Sequence, residues 1–191
     1  IDTLCVNTTG ACLVAIGTGA LRSNTTGSRN VGVGAYSLLA NTTGNFNTAS
    51  GYRALASNTT ANFNTAVGSW TLTANITGHS NAAFGYKALT SNTSGCYNTA
   101  SGVYSLCANT TGKFNTSVGN NNLCANTSGQ YNTSIGQSAL RTNTTGSYNT
   151  ASGSKALFAN TTGNNNTANG IFALYSNTTG TRNTASGYSA L

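Results

Sequence analysis

The chain has 191 residues, a formal net charge of +7 and only 5% charged residues, against roughly 25% in an ordinary soluble protein. One carboxylate side chain (Asp2) and one histidine (His79) leave no paired acid and base for catalysis and no ligand set for a metal, so an enzyme is not expected. The cations are scattered rather than run together, which argues against a nucleic-acid interface, and no apolar stretch approaches the about 20 residues of a membrane span.

In chain order, one phrase recurs: Asn-Thr-Thr-Gly-x-x-Asn-Thr-Ala-x-Gly-x-x-Ala-Leu-x-x. Its starts fall at Asn7, Asn24, Asn41, Asn58, Asn75, Asn92, Asn109, Asn126, Asn143, Asn160 and Asn177, without insertion or deletion. Such a period makes each repeat one structural unit stacked on the next. It is too short for a helical hairpin, and its Asn, Thr and Gly oppose helix. An all-β parallel solenoid (β-roll) is therefore expected, one coil per repeat, about eleven coils, residues 1–191 forming a single array. At about 4.8 Å per coil the rod is roughly 50 Å long. The chain begins without Met and both ends fall inside repeats, so an excerpt of a longer fibre is expected.

Counting from the repeated Asn as position 1, the first predicted strand covers positions 7–11, as in Asn47-Thr48-Ala49-Ser50-Gly51. Positions 7, 9 and 11 are restricted to Asn, small residues and Gly in nearly every copy; position 10 varies freely. Alternation in a strand therefore turns the restricted set inward. A second strand is predicted from position 14 to position 3 of the next repeat, as in Ala54 to Thr60. It would turn position 15 (Leu in every copy), position 17 and position 2 inward, and positions 16, 1 and 3 outward. Every Lys, Arg and Asp, and the one His, falls at position 5, 6, 13 or 16, outside the predicted inward columns, as the cost of burying an unpaired charge requires. The Gly at position 4 (Ala61 in one copy) is expected to take a positive φ or to permit close backbone approach.

The repeat also fixes the candidate sites. Position 1 opens an Asn-x-Ser/Thr sequon in all eleven copies, and Asn115, Asn132 and Asn165 open three more. If position 1 faces outward, the eleven Asn are accessible N-glycosylation acceptors; the competing reading is turn and ladder chemistry. Position 6 carries an aromatic stripe of Phe46, Phe63, Tyr97, Phe114, Tyr131 and Tyr148, interrupted by Ser80. It either covers the coil corner or forms a chain-to-chain or carbohydrate surface. The outward Thr column at position 8 raises ice binding as a distant reading. Five Cys are present. Cys107 and Cys124, one period apart, fall within reach of a disulfide, because rungs sit about 4.7–4.9 Å apart and a bridge accepts about 4.4–6.8 Å between Cα atoms. Cys5 and Cys12 are a weaker pair.

Val14-Ala15-Ile16-Gly17-Thr18-Gly19-Ala20 and the later Asn-Thr-Ala-x-Gly-x-x-Ala-Leu copies resemble the head repeats of trimeric autotransporter adhesins. They are more similar still to repeats of phage tail-fibre-like and other surface fibre proteins. The resemblance implies a left-handed parallel β-roll, assembly of three chains and a role in attachment. The coil departs from the adhesin pattern by its additional Asn-Thr-Thr-Gly. Together these readings give an extracellular, cell-surface or virion-surface fibre subunit that self-associates into a filament or homotrimer and carries glycans, with no cofactor.

Overall fold

A computed structural model describes residues 2–191. Eleven three-residue strands, from Val14–Ile16 to Thr184–Ser186, form one parallel sheet in sequence order. Each strand pairs with the next in constant register, Thr48 with Thr65 and Ala49 with Ala66, for example. The fold is a parallel β-solenoid with one 17-residue coil per repeat. Among the described residues, no helix is long and apolar enough to cross a membrane.

The predicted first strand is present as its central part, positions 8–10, with position 9 buried and its neighbours more exposed in coil after coil. The second predicted strand is not a strand. Positions 12–17 form consecutive turns, because residues 13 and 15 take positive φ, 57° at Arg53 and 52° at Leu55. Two short backbone bonds close these turns: Ala54 N–H donates to Gly51 O at 3.3 Å and Asn58 N–H to Leu55 O at 3.2 Å. A positive φ breaks the alternation on which the inward and outward assignment rested. Leu at position 15 faces inward as expected. Position 1 faces inward as well, and positions 17 and 2 are only half-buried.

The core is one Leu per coil, Leu21 through Leu157, flanked by Ala at positions 9 and 14, all fully buried. Where Ser105 and Ser117 replace Ala, their hydroxyls pair: Ser105 Oγ donates to Ser117 Oγ at 2.7 Å, and Ser117 Oγ to Asn122 O at 3.0 Å. Buried polar atoms are thereby satisfied rather than stranded.

Two buried amide ladders complete the interior. At position 1, Asn109 Nδ2 donates to Asn92 Oδ1 at 2.8 Å and to Gly112 O at 3.1 Å. At position 7, Asn115 N–H donates to Asn98 Oδ1 at 3.0 Å, and Asn115 Nδ2 donates to Gly129 O at 2.9 Å. Gly112 O also accepts from Asn98 Nδ2 at 2.9 Å, and from Gly44 to Gly180 the position 4 carbonyls tie the two ladders together in the same way. That geometry explains the Gly. At Gly44 a Cβ would come within 2.5 Å of the Ala61 carbonyl, so close approach, not positive φ, is what position 4 requires; the positive φ falls instead on position 11, 135° at Gly51.

Stacking is dense outside the sheet too. The N–H groups of Thr25, Thr26 and Gly27 all donate to Thr42 O, at 3.0, 3.2 and 3.2 Å, and Thr25 Oγ1 joins them at 3.1 Å. The same convergence recurs along most of the array.

Candidate functional site

The burial of position 1 corrects the outward placement of the sequon asparagines. Asn24, Asn41, Asn58, Asn75, Asn92, Asn109, Asn126, Asn143 and Asn160 have no exposed surface. Their Nδ2 atoms donate both to the preceding Asn and to a Gly or Ala carbonyl, as at Asn58, with 2.8 Å to Asn41 and 3.1 Å to Ala61. A glycan on such a nitrogen would replace one of its two donating hydrogens and find no room in the folded coil. Asn115 and Asn132 at position 7 are equally buried. Asn177 is half-buried, whereas Asn7 and Asn165 are exposed. A sequence signal for the ladder is Thr at position 2 in every copy but that of Ile76, which a sequon does not require.

The aromatic stripe, in contrast, lies on the surface. Phe46, Phe63, Tyr97, Phe114, Tyr131 and Tyr148 are each 42–59% exposed. Tyr97, Phe114, Tyr131 and Tyr148 stack face to face, with centroids 4.9, 4.8 and 4.9 Å apart and rings within 10° of parallel. Phe46 and Phe63 stack likewise at 5.1 Å. The spacing is the rung spacing, so the backbone sets the stacking distance. Position 6 also has positive φ, 56° at Phe46 and 59° at Tyr97, which holds each ring at the outer corner. Between Phe63 and Tyr97 the ribbon stops at Ser80.

A second corner, at positions 12 and 13, was not anticipated as a cluster. Tyr36, Arg53, Trp70, Lys87 and Tyr104 alternate ring and cation over five successive coils. The Arg53 guanidinium lies 5.9 Å from the Tyr36 ring and 5.0 Å from Trp70, and Lys87 Nζ lies 5.7 Å from Tyr104. With Asp2 the only carboxylate side chain in the sequence, ring faces take the place of counter-charges. Arg53 Nε is buried without a hydrogen-bond partner.

Cys107 and Cys124 are neighbours in one column, half-exposed and carrying free thiols; the candidate bridge is not formed in this structure. Cys107 Sγ approaches Cys124 O at 3.4 Å. The Cys124 thiol pKa is lowered to about 7, first by hydrogen bonding from Cys107 and then by the Arg141 guanidinium, with burial opposing both. The same hydrogen bond, then burial, pushes Cys107 well above the ordinary thiol range. Cys5 and Cys12 are exposed and free. Among the described residues no three His, Cys, Asp or Glu side chains gather as a metal site.

The position 8 threonines form the half-exposed to exposed edge of the sheet face, but the accompanying position 10 column mixes Val67, Phe84, Ile135 and Asn169. No family model matches the chain, and comparison with curated proteins and with solved structures finds no significant match.

Proposed function

We propose that the chain is the structural subunit of an extracellular fibre assembled from stacked solenoid coils. The observation that carries the reading is the recurrence, every 17 residues, of the same backbone and amide-ladder bonds between neighbouring coils. Each coil offers on one face what any other coil accepts on the opposite face, so the array extends by translation without redesign. Its role is mechanical: parallel hydrogen-bond columns stiffen the axis, and variable corner residues set lateral contacts. Catalysis has no part in this reading.

Native material examined by electron cryomicroscopy should show filaments with an axial repeat near the rung spacing of about 4.8 Å. Discrete short monomers at all concentrations would refute it. The exposed aromatic ribbon favours a second reading, a three-chain attachment shaft whose ribbons pack against one another. Sedimentation equilibrium separates the two, since a shaft gives a fixed threefold mass and a filament gives an open distribution.

A further inference from the structure

In a chain this repetitive, departures from the repeat are informative, and four of them fall together. Ala61 is the only residue other than Gly at position 4, Ile76 the only one other than Thr at position 2, and His79 the only histidine; Ser80 interrupts the aromatic stripe. Ala61, His79 and Ser80 line one notch of about 340 Å³ on the solenoid surface, between Phe63 and Tyr97, the low end of the roughly 300–1,000 Å³ of small-ligand clefts.

The local backbone differs accordingly. In the other coils two or three amides converge on the position 2 carbonyl of the next. Here a single amide, Thr59 N–H, reaches Ile76 O, at a lengthened 3.4 Å beside Thr59 Oγ1 at 3.4 Å, and the amides of Thr60 and Ala61 make no such bond. The Cβ of Ala61 accounts for this, since position 4 has no room for one where coils stack closely. Asn62 Oδ1 accepts from Asn45 N–H at 2.6 Å, while its Nδ2 has no protein partner; the equivalent Asn45 Nδ2 donates to Thr43 O at 2.8 Å.

One wall is an open ring. Phe46 covers one face of Phe63, and with Ser80 in the next coil the other face is bare. On the far side His79 stands edge-on to Tyr97, its centroid 4.9 Å away and its plane at 88°, with Nδ1 3.3 Å from Ser80 Oγ. The notch thus joins an aromatic platform to a rim of amide, hydroxyl and imidazole groups, and no Lys, Arg, Asp or Glu lines it.

We infer that this notch is a binding site for a neutral pyranose sugar, whose apolar ring face stacks on Phe63 while its hydroxyls engage the Thr60 and Ala61 amides, Asn62 Nδ2 and His79. A purely aromatic guest would cover the ring but leave those donors unpaired; a charged guest would find no counter-charge. A hydroxylated ring meets both requirements. The site is complete within one chain and stands apart from the fibre reading.

The test is a ¹H–¹⁵N NMR titration of the whole chain with methyl β-D-glucopyranoside, methyl β-D-galactopyranoside and methyl N-acetyl-β-D-glucosaminide, with phenol as the aromatic control. At least one pyranoside should give saturable shifts centred on Thr60, Ala61, His79 and Ser80. Phe63→Ala should weaken that binding at least roughly 10-fold. Ser80→Tyr, which supplies the ring the stripe lacks and so preserves the fold, should abolish it. The inference is overturned if no pyranoside shifts these amides, if the shifts survive in Ser80→Tyr or spread evenly along Tyr97 to Tyr148, or if phenol alone binds.

Discussion

Leu106 shows what the coil asks of a single residue. It is fully buried and held at φ 53°, a conformation that costs an L-residue about 1–2 kcal/mol. Burial of the isobutyl group and the bond from Leu106 N–H to Asn122 O at 2.9 Å offset that cost. Leu106→Ala keeps the strain and loses the burial, so it should destabilise the fold by about 2–5 kcal/mol in urea titrations. Asn109 probes the amide ladder. As Asp, its carboxylate would face two acceptors, Asn92 Oδ1 and Gly112 O, and its folded pKa should rise above the unfolded value of about 3.9. A raised folded pKa means stability is greatest below the unfolded value and is lost as pH rises through the folded one. Asn109→Asp should therefore unfold more easily at pH 7 than at pH 4 relative to the parent, whereas Asn109→Ala should show no added pH slope.

At the scale of the element, columns act as units. The Phe114 and Tyr131 rings are 4.8 Å apart and 10° from parallel, and a double-mutant cycle of Phe114→Ala with Tyr131→Ala should return a coupling of about 0.5–1.5 kcal/mol. Coupling near zero would mean that the backbone alone holds the ribbon. The position 16 column of Cys107, Cys124 and Arg141 makes a chemical prediction. Cys124, lowered to about 7, should react with iodoacetamide with a midpoint near neutral pH, and Cys107 should lag because its proton is held. Arg141→Ala should move the Cys124 midpoint upward. Equal alkylation of both thiols at pH 7, followed by peptide mass spectrometry, would contradict the shared hydrogen bond.

Over the whole molecule, each coil bonds only to its two neighbours, so stability is a sum of coil and interface contributions rather than the property of one central core. Amide exchange should be slowest in the coils around Leu89 to Leu123 and fastest toward the two ends. Deleting whole 17-residue units should lower the unfolding midpoint without changing the protection pattern of the coils that remain. A uniform exchange rate along the array would instead indicate a single cooperative unit.

Much of this architecture was legible beforehand. The period set the coil, the Leu column at position 15 marked the interior, and the confinement of charge to positions 5, 6, 13 and 16 marked the corners. Each follows from burial energetics that residue type alone reports. The direction of Asn24 through Asn160 was not legible, since Asn with Thr two residues on reads equally as an exposed sequon and as a buried ladder. The turns at positions 12–17 were hidden for a related reason: Leu and Arg do not advertise positive φ, and only the bonds to adjacent coils make it tolerable. The notch beside Phe63 was visible as scattered exceptions, Ala61, Ile76, His79 and Ser80, without their shared location.

The sequence by itself determined the unit, its repetition and which side chains cannot be buried. Tertiary stacking decided where polar groups point, because a buried carbonyl such as Gly112 O must be paired and the amides placed to pair it belong to different coils.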